Sequence, residues 1–198
     1  MTASTAATTT TIPVPDVSTA VWPTVAGHDR YHAAIDAART FAVGYLHFVN
    51  PVVGTFRPGD ARSGEVPIRP RITGPVTTVL VRQLGSDGTW WVLGATTPNI
   101  VIAQPATLAT IDSPVELSGT STAFEATVQY AVREDDHTKP LAEGFVMGGA
   151  NGTMGPFKAK VALSRPTSRY GAVTLYTVSS ADGHVLEASV IRVRLSAG

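Results

Sequence analysis

Two groups of residues have types and spacing that could do chemistry. His28, His32 and Asp36 fall at i, i+4 and i+8 of a segment with helical periodicity, so they share one helix face, a geometry a metal ion can use. No further strong ligand completes the trio, and a solvated face near a helix N-terminus, where Asp29 also suits the dipole, is the commoner setting. Glu134-Asp135-Asp136-His137 places three carboxylates beside an imidazole. It lies between two strand patterns and lacks the ligand spacing and glycine of a calcium loop, so it reads as a solvated polar turn.

Other motifs point away from catalysis. Gly148-Gly149-Ala150-Asn151-Gly152-Thr153-Met154-Gly155 is rich in glycine, yet no Gly-Lys-Ser/Thr closes it and no helix pattern follows, so it is a mobile connection rather than a phosphate loop. No serine sits in a Gly-x-Ser-x-Gly elbow. Cysteine is absent, which removes disulfides, thiolate metal ligands and a thiol nucleophile. The sequence therefore offers no catalytic residue, no cofactor motif and no metal site, and the reading is non-enzymatic. Arg57, Arg62, Arg69 and Arg71 lie in a Pro/Gly-rich segment and could meet an anionic polymer or lipid surface, although dispersed arginines on an exposed loop are commoner.

These residues must be positioned by a chain of 198 residues, 43% hydrophobic and 15% charged, with 18 Gly and 14 Pro. That balance suits short strands punctuated by turns. Lys plus Arg and Asp plus Glu are 15 each, so no net field draws a polyanion and nucleic acid is not an expected partner. No apolar run is long enough to span a bilayer, and the N-terminus lacks the charged and apolar regions of a signal peptide.

Three segments follow. Residues 1–21 open with a Thr/Ala/Ser tract and continue through Pro13 and Pro15, a disordered tether. Residues 22–98 form a small α+β domain. In it Tyr31, Ala34, Ile35, Ala38, Phe41, Ala42, Tyr45, Leu46 and Val49 make one apolar stripe of a long helix over Gly27 to Val49. Strand patterns at Glu65 to Ile72, Val76 to Leu84 and Thr89 to Ala95 supply an antiparallel sheet beneath it, the first placed at an edge by Pro67 and Pro70. Tyr45, Phe48, Trp90 and Trp91 could line a pocket between that helix and sheet, which gives a second reading, a small-ligand binder or an enzyme.

Residues 99–198 read as an antiparallel β-sandwich. Runs near Ile100 to Gln104, Pro114 to Thr120, Glu125 to Glu134, Leu141 to Met147, Pro156 to Leu163, Ala172 to Ser180 and Val185 to Leu195 are short and divided by Gly, Pro, Asp and Asn. Phe124, Phe145 and Phe157 are expected in the core. The last run changes phase, from Leu186, Ala188 and Val190 to Ile191, Val193 and Leu195, and one extra residue forming a bulge near Val190 and Ile191 would reconcile the two.

Over about 99–196 this pattern resembles the immunoglobulin-like domain of bacterial spore germination. The resemblance rests on Ser113-Pro114 leading to Ser118-Gly119-Thr120, Phe124-Glu125-Ala126-Thr127-Val128, Leu141-Ala142-Glu143-Gly144-Phe145, Gly155-Pro156-Phe157, Ser180-Ala181-Asp182-Gly183 and Val193-Arg194-Leu195. Arg62-Ser63-Gly64-Glu65-Val66 is similar to segments that precede such domains. The resemblance implies an extracytoplasmic module of envelope proteins, often lipoproteins, secreted or held by a lipid anchor upstream of Met1. It carries no catalytic residues, and germination itself is not transferred. The expectation is a mainly β, non-enzymatic envelope protein that binds or assembles with a wall polymer or a protein partner.

Overall fold

The structure is a computed structural model that describes residues 16–24 and 29–196. The tract at 1–15 and His28 lie outside the described residues, so neither the tether nor the full histidine trio is addressed by it.

Among the described residues one α-helix, α1 (Ala34–Gly44), precedes strands β1 (Val52–Val53), β2 (Arg57–Asp60), β3 (Ser63–Arg69), β4 (Thr77–Gln83) and β5 (Trp90–Thr96). Then come β6 (Ile100–Gln104), β7 (Thr110–Ile111), β8 (Val115–Ala123), β9 (Thr127–Glu134), β10 (Ala142–Met147), β11 (Gly149–Ala150), β12 (Gly155–Val161), β13 (Tyr170–Val178) and β14 (Val185–Leu195). The protein is mainly β, and each of the seven strand patterns beyond residue 99 coincides with a strand.

The helix is shorter than its apolar stripe. Before it, the Trp90 N–H donates to the Tyr31 carbonyl at 2.7 Å, which draws residues 29–33 into a strand-like bridge with β5. After it, His47 takes a φ of 61°, a left-handed conformation that ends the helix, while the N–H groups of Tyr45 and Leu46 bond back to the Phe41 carbonyl. Leu46 and Phe48 stay buried on this non-helical tail, so the stripe continues where the helix does not. Ala34, Ala37, Ala38, Phe41 and Ala42 form the buried face. The small alanines let the helix axis lie close over β3, β4 and β5.

Among the described residues the strands form a large sheet in the order β1-β3-β4-β5-β14-β13-β9-β10, with β2 beside β3 and β7 beside β14. A smaller sheet has β8 between β12 and β6, with β11 also on β8. Strand β3, expected at an edge, lies inside the large sheet with β1 and β2 outside it. Pro67 is accommodated because its backbone polar groups face the short β1 side: its carbonyl accepts from the Gly54 N–H at 2.8 Å, so the missing N–H takes nothing from the β3–β4 ladder.

Two apolar cores lie on opposite faces of the large sheet. One holds α1 residues with Val66, Val79, Val92, Ala172, Ala188 and Val190. The other is the interior of the sandwich, where Val128, Val132, Val173, Leu175, Val193 and Leu195 meet Ile100, Leu117, Phe157 and Val161 of the small sheet. Strand β14 serves both. Its ladder with β13 is unbroken from Tyr170↔Arg194 to Thr177↔Glu187, and the register shift lies between Thr177 and Val178, opposite Leu186. The expected bulge at Val190 and Ile191 is therefore absent. The change of phase arises because Ala188 and Val190 enter the helix-side core and Val193 and Leu195 the sandwich core.

At one point the two halves of the large sheet touch through a single pair, Val190 with Ala95. Gly94 permits that approach, since a Cβ there would stand 2.5 Å from the Val190 carbonyl oxygen. Around it Glu187, 5% exposed, accepts from Thr97 Oγ1, from Asn99 Nδ2 at 3.0 Å and from Thr177 Oγ1 at 3.4 Å. A buried carboxylate ringed by neutral donors fixes where the chain crosses from one core to the other.

Candidate functional site

Because α1 packs on β3, β4 and β5, it leaves the β9 and β10 end of the same sheet face uncovered. Between the end of α1 and β9 lies a cavity of about 500 Å³. Its aromatic wall is Tyr45, stacked on Phe41 at 5.1 Å and edge-on to Trp22 at 6.5 Å. Trp22 is held by a backbone bridge to Val92 and by its indole N–H, which donates to Thr40 Oγ1 at 3.3 Å.

The sheet side of the cavity is Arg133 of β9. Its guanidinium lies 5.3 Å from the Tyr45 ring centre and donates through Nη1 to the Tyr45 carbonyl at 3.1 Å. Among the described residues no ion pair places a carboxylate within 4.0 Å of Arg133, and its buried Nε has no hydrogen-bond partner. Burial pushes the Tyr45 hydroxyl above its ordinary range, against smaller opposing effects of Thr174 and Arg133. Burial, and then the Arg133 charge, holds the His47 imidazole below its ordinary value.

The turn after β9 closes the cavity: its tip at Asp136 and His137 is solvated as its composition suggests, while Glu134 and Asp135 are held within the fold. Asp135 forms a bidentate pair with Arg192, at 2.5 and 2.6 Å. Arg192 is 1% exposed, lies 5.2 Å from the Tyr170 ring centre and donates through Nε to the Ser18 carbonyl at 2.9 Å. It thereby ties the chain before α1 to β14. Glu134 accepts from the backbone N–H groups of Thr167 and Ser168 at 2.6 and 2.7 Å, and His137 stands 3.9 Å from its other oxygen.

Burial alone would raise the Glu134 carboxyl, but the bonds from Ser168 and Thr167 outweigh it and hold the group below its ordinary 4.5. A carboxylate depressed in the folded state contributes stability that is present above the unfolded value and disappears as pH falls through the folded one. Glu134→Gln is accordingly expected to flatten the loss of unfolding free energy between pH 5 and pH 3 (about the carboxylate range) relative to wild type. Chemical unfolding measured across that range checks it, and identical slopes would refute it.

The four aromatic residues singled out in the sequence are not gathered around one space. Phe48 is 2% exposed in the helix-side core, and the interior beneath α1 is filled by Ala37, Ala38 and Phe41. Trp91 is buried on the opposite side of β5, its indole N–H bonded to Thr89 Oγ1 at 3.2 Å. Trp90 packs edge-on against Phe56 at 5.2 Å, and Tyr45 alone reaches the cavity. His32 and Asp36 are exposed. Sequence reasoning missed Trp22, Arg133 and Arg192. Only the alternation of β9, which sets Arg133 opposite Val132, carried a signal for any of them.

A second feature lies at the open end of the sheet. Phe145 and Met147 of β10 are 61% and 54% exposed, and Phe124, just before β9, is 71% exposed. Of the three phenylalanines expected in the sandwich core only Phe157 is there. Phe145 pairs with Gln129 and Met147 with Thr127, placing both on the helix-side face at the end that α1 does not reach. The Gly148 N–H bonds the Ala126 carbonyl, so in this ladder the alternating pairs through Val146, Gly144 and Ala142 face β9, and the backbone polar groups of Glu143, Phe145 and Met147 point outward.

The seven longer strands beyond residue 99, in two packed sheets, with the core of one face supplied by alternate residues of β9, β13 and β14, form an immunoglobulin-like sandwich. Residues 99–184 match the family model of the immunoglobulin-like domain of bacterial spore germination. The match runs from the residue before β6 to the turn before β14, so the strand that serves both cores follows the matched stretch. Neither a curated protein nor a solved structure gave a match. Within the domain Gly119 has a clear physical role: a Cβ there would run into the Val101 carbonyl and stand 2.8 Å from the Phe157 ring. No helix among the described residues is long and apolar enough to cross a membrane.

Proposed function

We propose that the chain is a non-enzymatic, extracytoplasmic envelope module, secreted or lipid-anchored, whose germination-type domain binds an extended segment of a protein partner along β10. The observation that carries this reading is the open β10 edge, with outward backbone groups flanked by exposed Phe145 and Met147. Unpaired strand edges recruit strands, and exposed apolar side chains beside them supply affinity and register. The family match supports a module of contact rather than catalysis, since immunoglobulin-like domains of this kind belong to envelope or spore proteins and are generally non-catalytic.

Affinity capture tests it, with solubilised envelope protein and purified wall glycan offered separately to wild type and to Phe145→Asp. The reading expects a protein retained by wild type and lost from the variant, while the variant keeps its melting temperature. Retention of glycan instead, or capture indifferent to Phe145→Asp, would overturn it.

A further inference from the structure

The cavity at the end of α1 is separate from the β10 edge, and its walls specify a chemistry. Two of its carboxylates are already matched within the fold: Asp135 by Arg192, and Glu134 by two backbone N–H groups with His137 nearby. Asp136 is exposed. Arg133 differs from these. Among the described residues no ion pair sets a carboxylate within 4.0 Å of its guanidinium, and its Nε–H is buried without an acceptor. Nη1 is committed to the Tyr45 carbonyl, and the remainder of the charged fork would gain a partner from an anion entering the cavity. Beside it Tyr45 and Trp22 meet edge-on, 6.5 Å between ring centres, and form an apolar wall against which a flat body can lie. A space of about 500 Å³ fits a small organic molecule.

We propose that this cavity binds a small aromatic carboxylate, its carboxylate held by the Arg133 guanidinium and its ring set against Trp22 and Tyr45. A cationic ligand is disfavoured by Arg133 itself, and a hydrated inorganic anion would leave the aromatic wall unused. His47, at the mouth, adds a further donor to the anion when protonated. The proposal stands independently of the strand-edge reading, because neither Phe145 nor Met147 lines the cavity.

The test is a titration of isotope-labelled protein followed by NMR, with benzoate, indole-3-acetate, benzamide and inorganic phosphate as separate probes. Benzoate and indole-3-acetate are expected to shift the Trp22 indole N–H and the backbone amides of Tyr45 and His47 saturably, while benzamide and phosphate bind at least about tenfold more weakly. Arg133→Gln is expected to weaken the carboxylates by about tenfold or more, with Arg133→Lys retaining part of the affinity. The comparison of benzoate with benzamide on wild type needs no variant, so a misfolded substitution leaves the proposal exposed to refutation. Equal binding of the two, shifts centred away from the cavity, no binding by any carboxylate, or an unaltered affinity in folded Arg133→Gln would each overturn it.

Discussion

Asp135→Ala is expected to lower the unfolding free energy by about 3–5 kcal/mol, the usual result of removing one partner from a buried ion pair. The melting temperature should fall by about 10 °C for a chain of this size. The magnitude follows from what remains: Arg192 is 1% exposed, so its guanidinium would be left among Tyr170, the Ser18 carbonyl and apolar neighbours with its charge unmatched. The bidentate geometry means both guanidinium nitrogens lose their acceptors together. Replacing the pair as a whole, with Asp135→Leu and Arg192→Met in one protein, is expected to recover most of the loss because no charge then stays buried. Thermal and chemical unfolding of the single and double variants check it. A single variant within 1 kcal/mol of wild type (about the value of an exposed pair) would show that the pair is not buried in solution.

Phe41→Ala should cost about 3–5 kcal/mol, because its ring is fully buried between α1 and the sheet and supports the Tyr45 wall of the cavity by stacking. The same substitution at Phe124 or Phe145 removes an identical group, yet those rings are 71% and 61% exposed, and the change should stay within about 0.5 kcal/mol. The contrast separates residues that hold the fold from residues kept for contact. Unfolding measurements on the three variants decide it. If Phe145→Ala destabilised as much as Phe41→Ala, β10 would be covered within the molecule and the contact reading would lose its basis.

The strands were legible because alternation and turn residues are local signals. Val128, Tyr130 and Val132 against Gln129, Ala131 and Arg133 marked β9 correctly, and Pro, Gly, Asp and Asn marked most of the breaks. Features that depend on which element covers a face were not legible. Strand β14 looked defective because two apolar phases follow each other, and only the placement of a helix on one side and a sheet on the other explains both. Arg192 and Arg194 occupy equivalent steps of the same alternation, yet one is buried under the chain before α1 and the other is exposed. Phe145 and Phe157 are likewise indistinguishable by type. The helix was overextended because its periodicity continues through residues that a bridge to Trp90 and a left-handed His47 take out of the helix. The cavity escaped notice because its walls come from four separated segments, and the carboxylates at 134–136 drew attention to themselves rather than to Arg133 beside them.

The open edge of β10 can be examined most directly by amide hydrogen exchange on the complex with whichever protein the envelope capture identifies. The amides of Glu143, Phe145 and Met147 are expected to exchange readily in the isolated chain and to slow by at least about tenfold on binding, with Ala142, Gly144 and Val146, already turned toward β9, changing little. Protection that leaves those three outward amides unaltered, and appears instead on the small sheet or on β1 to β5, would contradict the assignment of β10 as the docking edge.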